Sequence, residues 1–192
     1  AISDNGSTPG NGSTPNVPSE TFTLTTGVDT FTGTDKNDLF KASVLTANNG
    51  DTLDGGAGAD TLNVETAANL TSEFKTTSIE TVNLTALGAV SVDMTNKTDV
   101  TALNNNDSTA KVTVNNIADT TATYGLKGST VNNLELNYKT GALNGTSDKL
   151  NVKLNGATNA TVDADTGFES VEVNTTAASI LTNLKASGAT AL

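Results

Sequence analysis

From Thr21 onward, apolar and polar residues alternate in short runs: Phe22/Leu24, Phe31, Leu39/Phe40, Leu53 and Leu62/Val64. After Thr77 the alternation continues as Val82/Leu84, Val90/Val92/Met94, Val112/Val114, Leu134/Leu136, Leu150/Val152/Leu154, Val171/Val173 and Ile180. A period of two over a few residues marks half-buried β-strands. The best candidate for a helix is Ala67–Phe74, which is too short for more than about two turns. Turn formers separate the runs, often as Asn-Asn: Asn48-Asn49, Asn104-Asn105, Asn115-Asn116 and Asn132-Asn133. Asn tolerates left-handed backbone and can ladder with Asn of a neighbouring coil. The pattern predicts an all-β fold, a right-handed parallel β-solenoid (β-roll) with short strands and Gly/Asn-rich turns.

Composition sharpens this picture. Aromatics make up 4% of the 192 residues and Trp is absent, so the core must consist of thin, regularly stacked layers. Residues 1–18 carry the tetrapeptide Gly-Ser-Thr-Pro twice and read as a flexible linker. Residues 19–64 form a first set of coils, and residues 65–192 continue the solenoid with a degenerate second copy. Asp60-Thr-Leu-Asn-Val64 resembles Asp148-Lys-Leu-Asn-Val152, and Ser78-Ile-Glu-Thr-Val82 resembles Gly167-Phe-Glu-Ser-Val171. Thr101-Ala-Leu103 matches Thr190-Ala-Leu192 at nearly the same offset.

The chemistry concentrates between Leu24 and Asn63. Gly55-Gly-Ala-Gly-Ala-Asp60-Thr-Leu-Asn63 fits the nonapeptide Gly-Gly-x-Gly-x-Asp-x-(large apolar)-x at every specified position. Stepping back along the chain, Thr46–Asp54 keeps Asp51 and Leu53, Gly33–Lys41 keeps Asp38 and Phe40, and Leu24–Thr32 keeps Gly27, Asp29 and Phe31. The units form two tandem pairs around an Ala42–Leu45 insertion. Glycines let the backbone turn sharply and aim carbonyls inward, and Asp adds a hard carboxylate oxygen beside them. Two nonapeptides complete one coil, so Asp29 is expected to stack near Asp51 and Asp38 near Asp60. Stacked turns offer the six to eight oxygens that Ca²⁺ takes. The expected ligands are the carboxylates of Asp29, Asp38, Asp51 and Asp60, with carbonyls from Gly27, Gly33, Gly55, Gly56 and Gly58. Asp99, Asp148, Asp163 and Asp165 read as structural or solvated turn positions.

A formal charge of −11 makes nucleic acid an improbable partner. Histidine and cysteine are both absent. That excludes Ser-His-Asp and Cys-His catalysis, a His- or Cys-ligated zinc and any disulfide framework, and the chain is not expected to be an enzyme. No apolar run is long enough for a membrane helix, so membrane insertion is not expected.

The nonapeptide resembles the calcium-binding RTX (repeat-in-toxin) repeats of bacterial proteins exported by type I secretion. Thr21–Gly33, Gly50–Val64 and the Ile/Phe-Glu-x-Val units further resemble RTX surface-layer proteins. The resemblance implies a secreted structural protein of the bacterial cell surface that folds with calcium and self-associates into a lattice or filament. Another domain would contact any cell-surface polysaccharide. The alternatives are an adhesin, an ice- or carbohydrate-binding RTX module, and the non-catalytic tail of a secreted enzyme.

Overall fold

The structure, a computed structural model, describes residues 19–128 and 133–186. The linker assigned to residues 1–18 lies outside them, as does Thr190-Ala-Leu192. Along the first half run β1 (Thr21–Thr23), β2 (Thr30–Thr32), β3 (Leu39–Ala42), β4 (Thr52–Asp54), β5 (Thr61–Thr66), β6 (Lys75–Thr77), β7 (Thr81–Ala86) and β8 (Val90–Asp93). The second half adds β9 (Ala102–Asn106), β10 (Val112–Ile117), β11 (Thr123–Lys127), β12 (Asn133–Tyr138), β13 (Lys149–Asn155), β14 (Ala160–Ala164), β15 (Ser170–Ala177) and β16 (Leu181–Ala186). All pairings between these strands are parallel, and no helix occurs among the described residues. The odd-numbered strands stack in order into one eight-stranded sheet, and the even-numbered strands form sheets of three and five. The chain is therefore a β-solenoid of about seven turns.

The inward positions explain why the strands stack. Phe22, Phe40, Leu62, Val82, Leu103, Tyr124, Val152 and Val173 follow one another in register up the eight-stranded sheet. The Phe22 and Phe40 rings stack at 4.9 Å, and Phe31 packs on Phe22 at 5.5 Å. Leu, Val and Phe bury well in such layers because each coil covers the apolar face of the one below.

The three-stranded sheet ends where the five-stranded one begins. β6 extends only by an isolated bridge from Thr76 to Lys97, and β8 receives one from Leu70. The first coils thus have two strands each, while the third and fourth carry both even-side sheets. The Ala67–Phe74 stretch is not helical; Leu70 and Phe74 are buried there and the segment turns the chain between β5 and β6. Two of the four Asn-Asn pairs lie within strands and are not turns between them. Asn104-Asn105 lies within β9 and Asn115-Asn116 within β10, while Asn133 begins β12 and Asn132 falls outside the described residues. Ile180 is mostly exposed and precedes β16.

Candidate cation site at the stacked turns

Turns on the two sides of the first coils form two separate columns. One, between the even strands and the odd strands that follow, contains residues 33–38, 55–60 and 78–80. The other contains residues 24–29, 43–51 and 67–74. Asp29 and Asp51 meet in the second column, where the Asp29 N–H donates to Asp51 Oδ1 at 2.8 Å. Asp38 and Asp60 meet in the first, where the Asp38 N–H donates to Asp60 Oδ1 at 2.6 Å. The step repeats upward, as the Asp60 N–H donates to Glu80 Oε2 at 2.7 Å. All four aspartates are buried.

The carboxylates of Asp38, Asp51 and Asp60 each cap the main chain of the coil before, through the N–H groups of Glu20, Asp29 and Asp38, whereas Asp29 bonds within its own turn. What differs is the second oxygen. Asp29 receives the Thr25 N–H on Oδ2 at 2.6 Å and the Thr25 hydroxyl on Oδ1 at 2.9 Å. Asp38 Oδ2 receives the Thr34 N–H at 2.5 Å and the Thr34 hydroxyl at 2.9 Å, while Oδ1 takes the Glu20 N–H at 2.6 Å. Asp51 Oδ2 receives the Asn48 N–H at 2.8 Å. Asp60 Oδ2 is buried and has no hydrogen-bond partner.

The intact glycine motif is the cause. Gly56 stands where Thr34 stands one coil earlier, has no hydroxyl, and adopts φ +88°. Its N–H therefore turns away and donates to Asp54 Oδ1 at 3.1 Å. A Cβ on Gly55 would lie 1.8 Å from the Ser78 carbonyl oxygen and 2.5 Å from Asp60 Oδ2. Two acceptors thus crowd one face of a glycine. Ser78 reaches this position with left-handed backbone, φ 50°. The arrangement repeats one coil earlier at Gly33, beneath the Gly55 carbonyl and Asp38 Oδ2, but there Thr34 supplies the donors.

Electrostatics follow the same division. Burial works to raise the Asp38 carboxyl, but the bonds from Glu20 and Thr34 outweigh it and hold the group below its ordinary value. Burial pushes Asp60 up; the Asp38 N–H opposes that, and the Glu80, Asp38 and Asp54 carboxylates reinforce it. Among the described residues no three carboxylates converge on one point. A cation at Asp60 would therefore draw most of its ligands from carbonyls.

The second column contains its own donors instead. Asn48 Nδ2 donates to the Gly27 carbonyl at 2.9 Å and to the Thr25 carbonyl at 3.3 Å. Farther up, Asn96 Nδ2 donates to the Ser72 carbonyl at 2.8 Å. Lys97, 7% exposed, sends Nζ into the carbonyls of Asp93 (2.7 Å), Phe74 (2.8 Å) and Thr71 (2.9 Å). Amide and ammonium groups thus satisfy turn carbonyls of this column. Sequence reading did not identify Lys97, and no local motif marks it. Glu80 was visible only as part of the Ile/Phe-Glu-x-Val unit. Asp148, in a stretch similar in sequence to that around Asp60, makes the same step, its N–H donating to Glu169 Oε2 at 2.7 Å, but its Oδ2 receives the Gly145 N–H at 2.9 Å.

Burial pushes the Lys97 ammonium down to about 8, with the Asp93 carboxylate working against that. Since the folded value lies below the unfolded one, the cost of burying the charge is fully present below pH 8. It fades as pH rises toward the unfolded value near 10.4. The unfolding free energy should rise by on the order of 3 kcal/mol across that window. Urea unfolding of the wild type and Lys97→Met between pH 7.5 and 10 checks this: the rise should appear in the wild type and vanish in the variant.

Comparison of the chain with protein-family models, curated proteins and solved structures finds no match.

Proposed function

We propose that this chain is an RTX-type structural protein of a secreted bacterial surface layer, a non-catalytic solenoid stabilised by calcium and associating with copies of itself. The observation that supports the calcium reading is the unpartnered, buried Asp60 Oδ2 in the one intact nonapeptide. A buried polar atom without a partner costs about 1–3 kcal/mol, and more when charged. A hard dication beside Asp60 and the Ser78 carbonyl removes that cost. Carbonyls of the neighbouring glycine turns complete its shell. Asp38 supports the site from one coil below through its N–H bond to Asp60. Asp29 and Asp51 belong to the column that supplies its own donors, so they contribute to folding more than to binding. Export by type I secretion, an extracellular location and lattice formation belong to the same reading and are supported by the sequence resemblance.

Metal-free protein should be loosest in the coils from Thr21 to Val64. Hydrogen exchange in calcium and in EDTA checks this. Calcium should protect the β3 and β5 amides at least tenfold more than those of β13 and β14. Equal protection in both buffers would sink the calcium reading. Size-exclusion chromatography with light scattering in the same two buffers tests self-association, which should require calcium.

A further inference from the structure

The carbonyls of Thr71, Phe74 and Asp93 come from two successive coils and meet at one point, 2.7–2.9 Å from Lys97 Nζ. The fully buried Phe74 ring adds its face, with its centroid 5.7 Å from Nζ. Neutral oxygens and a π face are the ligands a buried cation takes, and here they offset part of the desolvation that lowers the Lys97 pKa. No carboxylate oxygen bonds Nζ directly: the Asp93 carboxylate acts on it only through space, and its Oδ1 is engaged by Thr95 and by Asn116 Nδ2. A set of neutral ligands suits one positive charge, whereas Ca²⁺ sites draw on carboxylates. Three carbonyls match the three ammonium protons of Nζ.

We propose that these three carbonyls and the Phe74 ring form a monovalent-cation site, which the chain fills with its own Lys97 ammonium. The site lies where the three-stranded sheet gives way to the five-stranded one, and Lys97 itself bridges to Thr76 there. It ties the turn before β6 to the end of β8. The two coils are thus joined at this junction by a charge that the chain itself supplies. The inference stands independently of calcium binding at Asp60.

The test is chemical rescue. Lys97→Ala removes three methylenes and the ammonium, a volume that n-propylammonium fits. The variant should melt lower than the wild type, and propylammonium should raise its Tm saturably while leaving the wild type unchanged. Equal concentrations of n-propanol or calcium should not restore it. No response to propylammonium, or an equal response to propanol, would overturn the proposal. Should the variant fail to fold, the wild type still provides a readout. In ¹⁵N-labelled protein at pH 6.5, one of the ten lysine ammonium groups should exchange its protons slowly with water. Fast exchange at all ten would also overturn it.

Discussion

Asp60→Asn should make the metal-free protein more stable and abolish its response to calcium. The wild-type carboxylate is buried, accepts the Asp38 N–H on one oxygen and leaves the other unpartnered. Asn keeps an acceptor for the Asp38 N–H and turns an amide donor toward the Ser78 carbonyl. It also removes a charge that faces Glu80, Asp38 and Asp54. The gain in the absence of metal should be about 1–3 kcal/mol, the cost of an unsatisfied buried polar group. In the wild type, calcium at a hundredfold excess over its Kd should add about 2.7 kcal/mol, and the variant should lose all of that. The same logic fixes a pH dependence. Because the folded Asp60 carboxyl lies above its unfolded value, metal-free protein gains stability from this group as pH falls through the folded pKa. Calcium should erase that gain. Urea denaturation with and without calcium measures both effects. A variant that is less stable without metal, or still responds to calcium, would contradict the assignment of Asp60.

Gly55→Ala should be the most damaging glycine-to-alanine substitution among the described residues. The added methyl would stand 1.8 Å from the Ser78 carbonyl oxygen and 2.9 Å from Asp60 Cβ. Ser78 O is backbone, so no side-chain rotation relieves the contact; the coils would have to separate. Overpacking typically costs 1–3 kcal/mol, and this contact belongs at or above the top of that range, about 3 kcal/mol. Gly88→Ala is the matched control, because a methyl there meets nothing within 4 Å. It should stay within about 0.5 kcal/mol of the wild type. Tm and urea midpoints of the two variants give the comparison, and equal losses would show that the coils do not pack as described.

Much of the fold was legible because inward residues alternate with outward ones wherever a coil buries Leu, Val or Phe. The pairing of Asp29 with Asp51 and of Asp38 with Asp60 was also legible, because the nonapeptide spacing and the Ala42–Leu45 insertion set the length of the second coil. Legibility failed where the inward residue is polar. Asn105 stands in register between Leu84 and Leu126, facing the core, so β9 reads as a turn by composition. Both atoms of its amide lack a hydrogen-bond partner. Tertiary stacking overrides local propensity there. β11 was missed for a related reason: Gly125 breaks its alternation, and only the register with β9 and β13 makes it a strand. At the turns, sequence treated the four aspartates alike. Asp38 and Asp60 differ through the residue just after the first glycine position of the unit: Thr34 satisfies Asp38, whereas Gly56 leaves Asp60 Oδ2 without a donor. Lys97 carried no signal because its three carbonyl partners lie on two coils.

The most direct test is a crystal structure grown in calcium, with anomalous data collected to locate the ion. A calcium peak should lie about 2.3–2.6 Å from Asp60 Oδ2, coordinated otherwise mainly by turn carbonyls. No peak should appear in the column of Asp29 and Asp51, where the Asn48 amide bonds the Gly27 carbonyl. Calcium bound between Asp29 and Asp51 with the Asp60 pocket empty would contradict the proposed site.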